Sequence, residues 1–440
     1  MRIHIIGIGG IGVSALAQYY LEKGHQVSGS DLAASEVTDL MQKKGAKVII
    51  EQKAENITNN IDLIVHTSAV KEGNAEYDKA KELGIKIMTY AEGLTELTKE
   101  HYTIALSGAH GKSTTTAMAA LVLIEAGLDP TVIVGTKLKE FGGSNFRAGK
   151  SKYLVLEACE YDSSFLNYSP KIIVVNNVDK EHLDYFKTFA NVLKTFKKFI
   201  ACLPAGRCDG EDCGFLVYNK DDLNAPKLIT KKIKAKIFGY SLRQPEAKKI
   251  AKILKVPGKH NVLNALGVLA VARYLGIKDQ ITFRALSKFS GTWRRFEIIQ
   301  PKNEKYKNIK IVSDYGHHPN EVKATLQAIR EKFPKKKIWC IFQPHQHQRT
   351  YYLFNDFVKL FRSAKIDKKI ITDIYDVAGR EVGQINKQVS AEKLVKKIGK
   401  NSVVYLPLDQ AQEFVKENMK SGDVLLIMGA GDIYKLADKF

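Results

Sequence analysis

At 440 residues, with 45% hydrophobic and 26% charged side chains and 11 prolines, the chain has the profile of a folded protein of two or three domains, which excludes disordered, collagen-like and mini-protein readings. Lys plus Arg is 68 against 47 for Asp plus Glu, a formal +21, but the basic residues lie in scattered pairs such as Lys248-Lys249 and Lys396-Lys397, so no nucleic acid is expected and small phosphorylated substrates are. Five cysteines make no disulfide framework, and Cys202, Cys208 and Cys213 lack zinc-site spacing, so they read as free thiols of a surface loop in a cytoplasmic protein.

Apolar runs alternating with helical periods open the chain. Strand Ile3 to Ile6 leads through a glycine turn into a helix from Ile11 to Lys23, ended by Gly24. Strands at 26–30, 47–50, 62–66 and 85–88 follow, with helices near 35–44 and 74–83, and this first series ends near Lys99. A second begins with strand Tyr102 to Leu106 and a helix from Lys112 to Ala126, then strands 153–158 and 171–176 with polar residues at their C-terminal ends, then a helix from His260 to Leu275. A third, after Gly291-Thr292-Trp293-Arg294-Arg295, has strands near 309–313, 337–342, 369–372, 402–405 and 424–428. Strand–helix alternation of this kind predicts parallel α/β sheets, with ligands at the strands' C-terminal ends. No window approaches the roughly 18 uninterrupted apolar residues of a membrane span, and four glycines between positions 7 and 12 argue against a signal peptide.

Two turns carry the chemistry. Gly7-Ile8-Gly9-Gly10-Ile11-Gly12 is a complete G-x-G-x-x-G between strand and helix, where exposed N–H groups and the helix dipole favour a diphosphate. Asp31, closing the second strand, stands where an acid commonly meets a ribose hydroxyl. Taken alone, this loop leaves open NAD or FAD, another nucleotide diphosphate, or a structural turn. Gly108-Ala109-His110-Gly111-Lys112-Ser113-Thr114 is the second, a shortened phosphate loop whose lysine suits a nucleoside triphosphate and whose serine suits Mg²⁺, with an accidental Gly-Lys-Ser turn as the alternative. Glu157 and His182, near the ends of two predicted strands, are the metal-ligand candidates beside Ser113; a structural histidine is the alternative for His182. A dehydrogenase needs only the first turn and a simple ATPase only the second, so the pair predicts ATP-driven chemistry on a nucleotide-linked substrate.

The ordered motifs Gly7 to Gly12, Ser107 to Thr115, Glu157-Ala158-Cys159-Glu160-Tyr161-Asp162, Asn176-Asn177-Val178 to His182, Gly258 to Asn264, Arg294-Arg295-Phe296, Asp314-Tyr315-Gly316-His317-His318-Pro319, Phe342-Gln343-Pro344-His345 and Gly429 to Ile433 resemble those of the Mur ligases over nearly the whole chain. The resemblance implies a three-domain α/β protein: a Rossmann-like UDP-sugar domain at 1–98, a P-loop ATPase-like domain at 99–292 and a Rossmann-like amino-acid domain at 293–440. It implies an ATP- and Mg²⁺-dependent ligase of cell-wall peptidoglycan synthesis, joining L-alanine to the lactyl carboxylate of UDP-N-acetylmuramate through an acyl phosphate, and acting as a monomer or weak homodimer. A tripeptide-recycling ligase and a weakly catalytic nucleotide- or nucleic-acid-binding protein are the alternatives.

By the same resemblance the sugar nucleotide meets Gly9, Gly10, Ile11, Gly12, Asp31 and Ser68, and ATP meets the loop Gly108, Ala109, His110, Gly111, Lys112, Ser113 and Thr114. Asn261 and Asn264 are assigned to the adenine edge, Arg295 to the phosphates and Asp314 to the ribose, with an Arg–Asp structural pair as the alternative. His345, His347 and Arg349 would face the amino acid, Arg349 clamping its carboxylate; a histidine near this strand, His345 or another, would be the base. Gln346 stands where many relatives carry arginine and Ser313 where an Asp is common, and the loop Gly206 to Cys213 matches nothing in the family.

Overall fold

Apolar β-branched runs bounded by glycine or polar turns become strands, and the periodic segments between them become covering helices. A computed structural model describes residues 1–206, 213–376, 383–399 and 403–440; Cys208 and the rest of its loop through residue 212 lie outside the described residues. These residues form two units, Met1–Ile253 with Leu263–Phe289, and Leu254–Val262 with Ser290–Phe440.

The first unit holds two sheets. In one, strands β1 (Arg2–Ile6), β2 (Gln26–Asp31), β3 (Lys47–Ile50), β4 (Leu63–His66) and β5 (Lys86–Thr89) are ordered 3-2-1-4-5, all parallel. The order reverses beside β1, whose C-terminal end leads into the Gly7–Gly12 turn, the position at which open α/β sheets take ligands. The other runs through β6 (Tyr102–Ser107), β7 (Thr131–Leu138), β8 (Ser144–Arg147), β9 (Tyr153–Glu157), β10 (Pro170–Val175), β11 (Phe215–Asn219) and β12 (Lys236–Tyr240), ordered 12-11-10-6-9-7-8. β6 is central, again placing a glycine loop at the C-terminal end of a strand buried from Thr103 onward. β8 is antiparallel to β7, an edge that the expectation of parallel sheets did not contain; a short chain reversal reaches such an edge, whereas a parallel strand needs a crossover.

Helix Ile11–Glu22 joins the two sheets. Its buried face packs with Ile133 and Phe146 of β7 and β8 in one apolar cluster. Gln18 reaches from it to the Asn145 side chain at 3.0 Å and accepts from Ser144 Oγ at 2.8 Å, while the Asn145 amide donates to Ile11 O. Buried polar groups paired in this way fix one orientation, because any slip would strand them without partners. Helix Tyr90–Glu100, which the expected end of the first series near Lys99 left unassigned, starts with a Thr89–Glu92 capping box.

The second unit carries β13 (Glu297–Ile299), β14 (Lys310–Asp314), β15 (Ile338–Phe342), β16 (Lys368–Ile371), β17 (Val404–Tyr405) and β18 (Val424–Met428), ordered 13-14-18-15-16-17, parallel except for β13. Its two faces are separate apolar layers, one around Phe342, Phe357 and Phe361 and the other around Trp339, Ile427 and Phe440. Cys213, expected as a free thiol, is disulfide-bonded, whereas Cys202 is free. Cys213 is fully buried, opposite Ala205 in an isolated bridge, so packing and not an exposed loop surrounds its sulfur. No helix among the described residues is long and apolar enough to cross a membrane.

Candidate active site

The 14-residue helix Lys112–Glu125 begins where Gly111, at φ +78°, turns the chain out of β6. A Cβ at Gly111 would lie 2.7 Å from Asn264 Oδ1, so both conformation and space require glycine. Asn177 braces the loop, its Oδ1 accepting from His110 N at 2.8 Å and its Nδ2 donating to His110 O at 3.1 Å. Asn176 donates to Thr115 Oγ1 at 2.8 Å, and His110 Nε2 meets Asp179 at 2.9 Å. The loop is thus held from outside, with the first-turn N–H groups of a long helix directed at whatever anion it takes.

Lys112 Nζ donates to Gly108 O at 2.7 Å and Ala109 O at 3.1 Å, and pairs with Glu160 Oε2 at 3.0 Å. Burial alone would lower its pKa, but Glu160, with Cys159 and Glu157, outweighs that and holds the ammonium above its usual range. Glu160, only 1% exposed, also faces His182 Nε2 at 4.0 Å. His182 sits at φ +54°, leads the short helix Leu183–Phe186 and packs on the Tyr161 ring. Ser113 Oγ donates to Glu157 Oε1 at 3.1 Å, and Gly135 N donates to Glu157 Oε2 at 2.6 Å. The structure therefore gathers Lys112, Ser113, Glu157 and His182 as expected from sequence, and adds Glu160 as the carboxylate linking two of them.

Glu160 and Gly135 were missed. The second acid of the run Glu157 to Asp162 was the available signal for Glu160. A Gly135 Cβ would lie 2.8 Å from the Glu157 carboxylate, but its strand, β7, was not predicted. Asn264 lies against the phosphate loop, and the Asn261 amide donates to Pro257 O at 2.7 Å.

In the first loop, Gly7 has φ +84°, and a Cβ at Gly9 would meet Asp31 Oδ2 at 2.8 Å. Asp31 accepts from Gly9 N and Leu32 N, both at 2.8 Å, so it holds the turn directly. Ser68 is exposed beyond β4.

In the second unit Asp314 is buried and accepts from Phe296 N, Gly316 N and Thr325 Oγ1 at 2.8–3.0 Å. Burial raises its pKa against the opposing pull of Arg295 and these donors. It is thereby an anchor of the Arg294–Phe296 turn. Arg294 is buried among Trp293, Tyr315 and Tyr434 and donates to Gly429 O and Gly431 O. Arg295 lies over the Tyr315 ring and 3.9 Å from Glu321. His345 stacks on Tyr375 and meets Arg349 Nη1 at 3.0 Å through Nδ1, and Gln346, at φ +68°, caps the short helix His347–Tyr352 that carries Arg349. Ser313 is buried within β14.

Three family models match in chain order: Mur ligase family, catalytic domain, over residues 2–102; Mur ligase middle domain over 106–255; and Mur ligase, glutamate ligase domain, over 294–431. The chain belongs to the Mur ligase family. It is 40% identical to the UDP-N-acetylmuramate–L-alanine ligase of Caldanaerobacter subterraneus subsp. tengcongensis and 40% identical to that of Aquifex aeolicus, each alignment covering 100% of this chain and 97% of the relative. Among solved structures it resembles the UDP-N-acetylmuramate-alanine ligase of Thermotoga maritima, with a TM-score of 0.81 and 27% identity over 100% of this chain and 98% of that one. A murein peptide ligase from Psychrobacter arcticus shares the fold, with a TM-score of 0.73 and 22% identity over 100% and 99%. The Mur ligase architecture of three α/β sheets is what the motif order predicted.

Proposed function

We propose that this Mur ligase joins L-alanine to the lactyl carboxylate of UDP-N-acetylmuramate at the expense of ATP, as a step of peptidoglycan precursor synthesis. The observation that carries the reading is the grouping of Lys112, Ser113, Glu157, Glu160 and His182 around one phosphate loop, in a chain whose full length aligns at 40% identity with relatives named for that reaction. A carboxylate must be activated before an amine can displace oxygen from it. Its attack on the γ-phosphoryl group of ATP gives an acyl phosphate, and the amine then expels phosphate.

The residues fit these tasks. First-turn amides from Lys112 to Thr114 bind phosphate oxygens, and the Lys112 ammonium, kept charged by Glu160, neutralises charge that develops on the transferring group. Ser113, Glu157 and His182 supply the hydroxyl, carboxylate and imidazole that would hold Mg²⁺, which when bound screens phosphate charge. Gly9 to Gly12 take the diphosphate of the sugar nucleotide on a turn set by Asp31. Arg349 clamps the carboxylate of the amino acid. We assign residues 1–98, 99–292 and 293–440 to the sugar nucleotide, ATP and the amino acid respectively. The recycling alternative loses ground because the relatives at 40% identity carry the alanine-ligase name.

The test is phosphate release from ATP and Mg²⁺ with UDP-N-acetylmuramate, against alanine, serine, glycine and the murein tripeptide. Turnover needing both the sugar nucleotide and alanine is expected; preference for the tripeptide would replace this reading with the recycling one.

A further inference from the structure

Two histidines of the second unit, His317 and His345, lie with ring centroids 5.7 Å apart, and their neighbours assign them opposite tautomers. A guanidinium has no acceptor, so the 3.0 Å contact between Arg349 Nη1 and His345 Nδ1 puts the lone pair on Nδ1. Neutral His345 therefore carries its proton on Nε2. At His317 the polarity is reversed. Its Nδ1 lies 3.2 Å from Tyr315 O and 3.3 Å from Glu321 Oε2, both acceptors, so Nδ1 carries the proton and Nε2 the lone pair.

Glu321 is itself fixed. Its Oε2 accepts from His317 N at 3.1 Å and His318 N at 3.2 Å at the start of helix Pro319–Lys332, and Oε1 lies 3.9 Å from Arg295. The His317 and Glu321 side chains are 15% and 12% exposed. The Nδ1–H meets Tyr315 O while the Glu321 carboxylate, at ion-pair distance, favours the imidazolium, and with the opposite nitrogen basic this is the relation of a general base to its orienting groups.

Resting on the ligase reading above, we infer that His317, oriented by Glu321, is the base that deprotonates the incoming amino group, and that His345 is a hydrogen-bond donor beside Arg349. The ammonium of the amino acid gives one proton to His317 Nε2. The freed lone pair attacks the acyl carbon, the C–N bond forms and the C–O bond to phosphate breaks, its electron pair leaving with phosphate. The second nitrogen proton goes to a phosphate oxygen, and His317 returns its proton to water. Glu321 faces His317 and Arg349 faces His345, with Arg295 behind Glu321 and Tyr315 edge-on to His317.

His317→Asn should lower kcat with alanine by about 10²-fold or more with a smaller change in alanine KM, and should remove the acidic limb of the kcat–pH profile. Hydroxylamine, largely unprotonated at neutral pH, should remain an acceptor for the variant. Glu321→Gln should move that limb to lower pH, since loss of the carboxylate makes the imidazolium less stable. Independently of turnover, ¹⁵N spectra of histidine-labelled protein should show Nδ1–H at His317 and Nε2–H at His345, with peaks assigned by the variants His317→Asn and His345→Gln. Nε2–H at His317, or an unchanged kcat and acidic limb in His317→Asn, would overturn the inference. A wild-type protein that releases no phosphate with alanine would instead overturn the ligase reading, leaving the spectra to decide the tautomers.

Discussion

The two glycine loops of the first unit share a backbone device and differ in their charges. Each follows the central strand of a sheet, turns on a glycine at positive φ and opens a helix. In the first, the neighbouring acid is spent on the turn, Asp31 holding Gly9 and Leu32, and no lysine stands at the helix start. In the second, Lys112 begins the helix and is faced by buried Glu160, while Ser113 reaches Glu157. On the proposed reading, the same N–H cradle would hold a diphosphate passively in one place and manage a transferring phosphoryl group in the other.

The strongest way to break that contrast is Lys112→Ala. Phosphate release should fall about 10²- to 10³-fold, as for loss of a group that stabilises transition-state charge, while binding of UDP-N-acetylmuramate, followed by calorimetry, stays within about twofold. Equal damage to sugar binding would show that the two loops are not independent. Glu160→Gln should come next, with a kcat loss of about tenfold or more and a lower melting temperature, because a buried ammonium is left with weaker partners. A melting curve and activity both unchanged would show that Glu160 does not set the state of Lys112.

Gly9→Ala sharpens the other side. Its Cβ would press within 2.8 Å of Asp31, so the KM for the sugar nucleotide should rise about tenfold, the effect of about 1.4 kcal/mol, with the ATP KM nearly unchanged. The smallest effect separates both loops from the second unit. Burial lowers the His260 pKa to about 4, against the opposing pull of Glu331 and Glu321. The unfolded chain then binds a proton that the folded one does not, so stability is full above about pH 6.5 and declines as pH falls toward 4. Melting scans across that window should flatten in His260→Asn, with both loops' ligand affinities at neutral pH unaffected.

Much of the fold was legible because periodicity and glycine turns are local. Strands β1, β3, β14, β15 and β18 lie within a residue or two of their predicted positions. Strands β7, β8, β11, β12 and β13 were not, since nothing in a short run says which neighbour it will pair with. At the candidate site, Lys112, Ser113 and Glu157 were named from motif chemistry and His182 with a structural histidine as the alternative, and the structure brings all four to one loop.

What the amino-acid sequence determined by itself was the order of α/β units, the two phosphate-type turns and the side chains able to meet phosphate and metal, because these depend on backbone period and functional-group chemistry. Only the tertiary structure decided that Asp31 is spent on its own turn, that Glu160 joins Lys112 to His182, and that His317 and His345 carry their protons on opposite nitrogens. Each of these depends on which donor or acceptor lies within hydrogen-bonding distance. For Asp31 and Glu160 that distance is set by packing between segments far apart in the chain, to which local sequence is blind; for His317 and His345 the partners lie within four residues, and the conformation of the turn around each ring decides which nitrogen they meet.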